Sequence, residues 1–126
     1  MTGRQNGKMR PVPKFPKKEE VMVNLKIDDK NVVVPEGTTI LDAAKQAGID
    51  IPTLCFLKDI NEVGDCRMCI VEVEGRRGFA TSCIQTVEEG MVVHTHTPNV
   101  LEARHAILDL IISNHSKDCL TCTRSR

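Results

Sequence analysis

From residue 21 the chain alternates. Val21, Val23, Leu25 and Ile27 are apolar, while Asn24, Lys26 and Asp28 between them are polar, with Met22 on the same side. Period two marks a strand with one buried face. Asp28-Asp29-Lys30-Asn31 has turn chemistry, and Val32–Val34 form a returning strand that Pro35 closes, so a β-hairpin is predicted. The period then becomes helical. Thr39 is the expected N-cap with Asp42 in the capping-box position, and Ile40, Leu41, Ala44 and Ala47 supply a buried stripe that Gly48 ends as C-cap. This helix is expected to lie across the sheet. Ile70–Glu74 reads as a strand, Gly75-Arg76-Arg77-Gly78 as a solvated turn, Phe79–Ile84 as its return and Met91–Thr97 as a further strand. Thr97 and Pro98 open a last helix with a predicted buried face of Val100, Ala103, Ile107, Leu110 and Ile111, a surface His105, and a stop at Asn114.

Between the two patterned halves, residues 55–69 follow no period, and here the chemistry lies. Cys55, Cys66, Cys69 and Cys83 are spaced C-x10-C-x2-C-x13-C. Cysteines are common as small core residues, but Cys66 and Cys69 sit among Gly64, Asp65 and Arg67, which is not core composition. Four thiolates drawn from one loop and an adjoining strand suit a shared iron–sulfur cluster. Such a loop must turn backbone N–H groups towards the sulfurs, and Gly64 permits the close approach. Apolar residues are few here, so the loop is expected to be ordered largely by the cluster.

Composition narrows the setting. There are three Phe and no Tyr or Trp, so the core is aliphatic. No apolar run is long enough to span a membrane, and no apolar signal region marks secretion. Six cysteines in that context point to metal or redox chemistry in a reducing compartment, the cytoplasm, rather than to disulfides. The formal net charge of zero hides an asymmetry. Six of the 17 basic residues and none of the 17 acids fall in residues 1–18, which leaves 11 against 17 and a net of −6 for residues 19–126. Residues 1–20, with Pro11, Pro13 and Pro16 between lysines, read as a disordered basic leader rather than a nucleic-acid arm. Asp59, Glu62 and Asp65 place acids in the cysteine loop, where they suit a positive surface on a redox partner. His94 and His96, at period two, suit either a ligand pair or an exposed strand face, and the second is the commoner use.

The stretch G-D-C-R-M-C-I-V-E-V, with ten residues between Cys55 and Cys66, resembles the N-terminal ferredoxin domain of [FeFe]-hydrogenases. It also resembles the equivalent domain of the large iron–sulfur subunit of NADH dehydrogenase (complex I) and of some formate dehydrogenases. V-P-E-G-T-T-I-L-D-A-A, L-E-A-R-H-A-I-L-D-L-I-I-S-N-H and D-C-L-T-C fit the same family, so the resemblance covers residues 22–126, and its wording is nearest the NAD(P)-linked hydrogenase catalytic subunit. It implies an α+β, β-grasp ferredoxin-like fold over residues 21–114, a mixed sheet with a packed helix and a C-terminal helix. It further implies one [2Fe–2S] cluster on Cys55, Cys66, Cys69 and Cys83, and electron exchange with a partner subunit or domain carrying iron–sulfur clusters or flavin. Neither nucleic-acid binding nor membrane insertion is expected, and the isolated domain is expected to relay electrons without being an enzyme itself.

The tail departs from that family. In the family, H-x3-C-x2-C-x5-C holds a [4Fe–4S] cluster. His115, Cys119 and Cys122 match the first three positions, and the fourth would fall at position 128, past the last residue given. Residues 115–126 therefore read as a truncated, mobile start of that motif, its ligands expected to stay unoccupied, and the chain as part of a larger oxidoreductase. Two other readings compete. A zinc-stabilised interaction module would pair Cys66 and Cys69 with Cys119 and Cys122, but it leaves Cys55 and Cys83 unused. A cysteine enzyme lacks a paired base beside a unique thiol.

Overall fold

The computed structural model describes residues 20–124, so the basic leader, apart from Glu20, and the last two residues lie outside the described residues. Five strands and two helices follow in order: β1 (Met22–Ile27), β2 (Lys30–Pro35), α1 (Ile40–Gln46), β3 (Ile70–Val73), β4 (Phe79–Thr81), β5 (Val92–His94) and α2 (Pro98–Ser113). The sheet order is β2-β1-β5-β3-β4. Two antiparallel hairpins, β1–β2 and β3–β4, are joined through β5, which runs parallel to β1 and antiparallel to β3. This is the mixed α+β sheet expected for a β-grasp ferredoxin-like fold.

The alternation in β1 becomes burial: Val23, Leu25 and Ile27 point inward and Met22, Asn24 and Lys26 outward. Val32 and Val34 of β2, Val71 and Val73 of β3, and Val93 of β5 share that inner face with Ile40, Leu41, Ala43 and Ala44 of α1. Helix α1 begins where expected, with Thr39 Oγ1 accepting from Asp42 N–H at 3.2 Å. It ends one residue earlier than expected: Ala47 is the C-cap, and Gly48 follows it at φ +70°, in the left-handed region that glycine adopts without penalty.

Helix α2 starts as the sequence predicts, with Thr97 Oγ1 accepting from Val100 N–H, and Asn114 caps its end. Its expected buried face does not form. Val100 is buried, Ala103 and Ile107 are half-buried, and Leu110 and Ile111 are exposed, Leu110 at 72%. The reason lies in sheet geometry. Side chains alternate across a strand, so Val71 and Val73 face the main core while Ile70 and Glu72 face the other way. Helix α2 packs on that back face chiefly against β3, and its residues from Leu108 to Ser113 are exposed. The two strands flanking this region are also shorter than expected. β5 stops at His94 because Thr95 N–H donates to Asp28 Oδ1 (2.8 Å) instead of continuing the ladder, and β4 stops at Thr81, where Ile84 and Gln85 N–H both turn back onto the Thr81 carbonyl. Among the described residues no helix is long and apolar enough to cross a membrane.

Leu41 and Leu110 are therefore expected to respond oppositely to truncation. Leu41→Ala, in the closed core, should cost about 2–5 kcal/mol, whereas Leu110→Ala should stay within about 0.5 kcal/mol. Chemical denaturation of both variants tests this, and equal losses would mean that the apolar face of α2 is covered after all.

Candidate metal centre

The β3–β4 hairpin sets half of the site. Its register pairs Ile70 with Thr81, which brings Cys69 and Cys83 to the same end of the sheet. Ser82 fixes that end twice, its N–H donating to the Cys69 carbonyl at 3.2 Å and its Oγ–H to the same oxygen at 2.7 Å. The first N–H groups of α1, which have no partner within their own helix, reach across to the chain around Cys83. Ile40 N–H donates to the Gln85 carbonyl (2.9 Å) and Leu41 N–H to the Ser82 carbonyl (3.0 Å). Cys69 and Cys83 are both buried.

The loop supplies the other half. Cys55 and Cys66, both half-buried, exchange hydrogen bonds: Cys55 N–H donates to Cys66 Sγ at 3.4 Å, and Cys66 N–H donates to Cys55 Sγ at 3.5 Å. Met68 N–H adds a third donor to Cys66 Sγ at 3.4 Å. Two residues in the left-handed region make these turns. Gly64 (φ +68°) is buried, and a Cβ there would meet Ile84 Cδ1 at 3.2 Å and Thr81 Cγ2 at 3.3 Å. Arg67 (φ +60°) carries a side chain in that conformation, and its Nη1–H donates to Thr81 Oγ1 at 2.8 Å. Successive N–H groups turned inward by such residues form a concavity suited to anions. Asn61 closes the loop, its Nδ2–H donating to the Cys55 carbonyl at 2.8 Å.

The electrostatics follow the geometry. Burial pushes the Cys66 thiol up, but the N–H donors of Met68, Cys55 and Leu54 together with the Cys55 side chain outweigh it, and the pKa ends below its ordinary value. Cys83 is pushed up to about 12, by burial first, then by its hydrogen bond to Cys69 and the charges of Cys69, Cys55 and Cys66. One buried thiol thus feels all three of the others. The donor set is four sulfurs, with N–H groups aimed at those of Cys55 and Cys66, which fits an iron–sulfur cluster.

The remaining candidates are placed elsewhere. Among the described residues no group of three or more His, Cys, Asp or Glu side chains is set to hold a single metal ion. A zinc ion needs its thiolates at about 2.3 Å from one point, and the zinc reading would draw two of them, Cys119 and Cys122, from the turns beyond α2 while leaving Cys55 and Cys83 unused. His115 and Cys119 lie exposed and Cys122 half-buried on the turns beyond α2. His94 Nε2 pairs with Glu74 Oε1 at 2.8 Å, and His96 contacts Thr95, so these two act as strand-end side chains. His105 is exposed beside Asp109. Sequence reasoning passed over Ser82, Thr81 and Asn61. The T-S-C wording before Cys83 was the one available hint for the first two.

Comparison with known proteins decides the family. The 2Fe-2S iron-sulfur cluster binding domain matches residues 20–98, more than half of the chain. The chain belongs to this family. This 2Fe–2S domain is 51% identical to the NADP-reducing hydrogenase subunit HndD of Solidesulfovibrio fructosivorans, over 82% of this chain and 19% of that protein. It is 41% identical to an NADH-quinone oxidoreductase subunit of Rhizobium meliloti, over 82% of this chain and 12% of that protein. It is 45% identical to the NADPH-Fe(3+) oxidoreductase subunit alpha of Geobacter sulfurreducens, over 80% and 12%. The chain thus spans a fifth or less of these relatives. Among solved structures it superposes on an NAD+-reducing [NiFe]-hydrogenase in the H2-reduced state with a TM-score of 0.71, at 28% identity, over 79% of this chain and 42% of that one.

The two shifted thiols give a prediction for the metal-free domain. Cys66, held low, should be alkylated by iodoacetamide at pH 8 well before Cys83, whose thiolate forms only near the top of the pH range. Mass spectrometry of the time course checks the order, and simultaneous modification would contradict these electrostatics.

Proposed function

We propose that Cys55, Cys66, Cys69 and Cys83 together hold the domain's single [2Fe–2S] cluster, and that residues 21–114 form an electron relay within a larger NAD(P)-linked hydrogenase. The observation that carries the ligand set is the pair of crossed N–H···S bonds between Cys55 and Cys66, set beside a Cys83 thiol that feels the other three. When bound, the cluster takes up and releases one electron at a time. The chain's own residues do the rest. N–H donors from Cys55, Cys66 and Met68 stabilise negative charge on sulfur, which raises the reduction potential. The identity to the hydrogenase subunit favours that parent over the quinone-linked oxidoreductases, and the four reduced thiols suit a cytoplasmic setting.

The outer wall of the site suggests how a partner docks. Leu54, Leu57, Ile60 and Val63 are exposed along the loop, Ile60 at 82%. Asp59, Glu62 and Asp65 lie between and beside them, and Glu62 Oε1 accepts from Asp59 N–H at 2.8 Å. Apolar contact close to the cluster with an acidic rim fits a redox partner, an iron–sulfur or flavin-bearing subunit, with a basic margin around its own apolar patch.

Two measurements test this. Each cysteine of the four replaced singly by Ser should lower iron and labile sulfide from about two each per chain, and a Cys83→Ser variant with a normal cluster spectrum would remove that ligand. With the natural partner, electron transfer should slow as ionic strength rises, because exposed rim charges are screened. A rate that is flat or climbs with salt counts against the acidic rim.

A further inference from the structure

Arg104 is the one charged side chain buried among the described residues, 7% exposed on α2. It is not paired with a carboxylate: the ion pairs among these residues are Lys58–Asp42, Arg76–Glu88, His94–Glu74 and His105–Asp109. Its Nη2–H donates to the carbonyl of Ile70 at 2.7 Å, the residue directly after Cys69. Its Nε–H, also buried, has no hydrogen-bond partner among the described residues. A buried cation without a countercharge is costly, and one bond to a carbonyl does not offset that. If Arg104 only fastened α2 to β3, a neutral donor would make the same bond with less desolvation. The bond to Ile70 sets the guanidinium one residue along the chain from Cys69. Burial lowers the pKa of Arg104 and the Cys69 thiolate acts against that, while a guanidinium stays protonated throughout.

We propose that Arg104 is the fixed countercharge of the cluster and raises its reduction potential from the buried side of the site. The inference rests on the four-cysteine ligand set. One electron, delivered by a donor of the reduced flavin or iron–sulfur class, leaves the cluster one unit more negative with no atom gained or lost. A nearby cation stabilises that extra charge, and more so in poorly solvated surroundings. Arg104 does not touch the iron in this role. It acts through space, held in place by its bond to the Ile70 carbonyl.

The test is a mediated dithionite titration of the full reconstituted chain, read by the EPR signal of the reduced cluster. R104Q keeps an amide donor for Ile70 and loses the charge. R104K keeps the charge and loses the fork. At the parent's midpoint potential, R104Q should show a reduced-to-oxidised ratio lower by about tenfold, or about 59 mV for one electron. R104K should stay within about twofold of the parent. An R104Q ratio within twofold of the parent, at full cluster content, overturns the inference, as does an R104K shift as large as that of R104Q. If R104Q takes up no cluster, R104K decides alone: a parent-like potential supports the charge, and a displaced one overturns it. A parent chain with no two-iron signal overturns the ligand set itself and this inference with it.

Discussion

Four thiolates do not tolerate one another at close range without compensation. Cys83 states the problem from the protein's side: its proton is held to about pH 12, first by burial and then by the sulfurs around it. Much of this end of the sheet answers that repulsion. Cys55 and Cys66 each turn an N–H onto the other's sulfur, Met68 adds another, and Arg67 adopts a left-handed backbone that aims it. The first turn of α1 directs its unpaired N–H groups to the carbonyls either side of Cys83. A helix start leaves its first N–H groups without partners in the helix, and here the Ser82 and Gln85 carbonyls take two of them, which fastens α1 to the chain around Cys83.

The fold delivers this arrangement through the one parallel pairing among the described residues. With β5 beside β1, the hairpin that carries Cys69 and Cys83 is welded to the hairpin that packs on α1. Both halves of the core then lie on one sheet face, and the cysteine end of β3–β4 lies against the start of α1. The opposite face is served sparingly. Val100, Ile70 and Arg104 are buried there, while Leu101, Leu108, Leu110, Ile111 and Ile112 remain exposed.

What the sequence disclosed follows from the range of each signal. Thr39 and Thr97 were legible as caps because a cap involves residues three apart, and both make the expected bond. The alternation of β1 was legible because a half-buried strand writes its period directly. The face of α2 was misread because an apolar stripe shows that a surface is apolar, not that something covers it. The end of β5 was hidden in Asp28, whose left-handed backbone and carboxylate capture Thr95 from 67 residues away. For the site, cysteine spacing and the resemblance together suggested the ligands. Arg104 lies 34 residues from the carbonyl it binds, and nothing local sets it apart from a surface arginine of an amphipathic helix.

With these four cysteines as ligands, the site has two unlike sides. Cys69 and Cys83 are buried and locked by sheet hydrogen bonds, while Cys55 and Cys66 sit half-exposed on a loop whose own apolar residues point to solvent. Electron transfer weakens steeply with distance, so on the proposed reading exchange favours the loop side, where a docked partner would also bury Leu57, Ile60 and Val63. The other side holds the start of α1, the doubly bonded Cys69 carbonyl and the guanidinium of Arg104, to which we assigned the cluster's potential. On that reading the charged contacts of the loop side would be screened by salt and rebuilt with each partner. Those on the buried side are fixed when the chain folds and shielded from solvent ions. A relay needs both properties at once, a constant potential and a replaceable contact, and separating them onto opposite sides of one cluster lets a change in either leave the other in place.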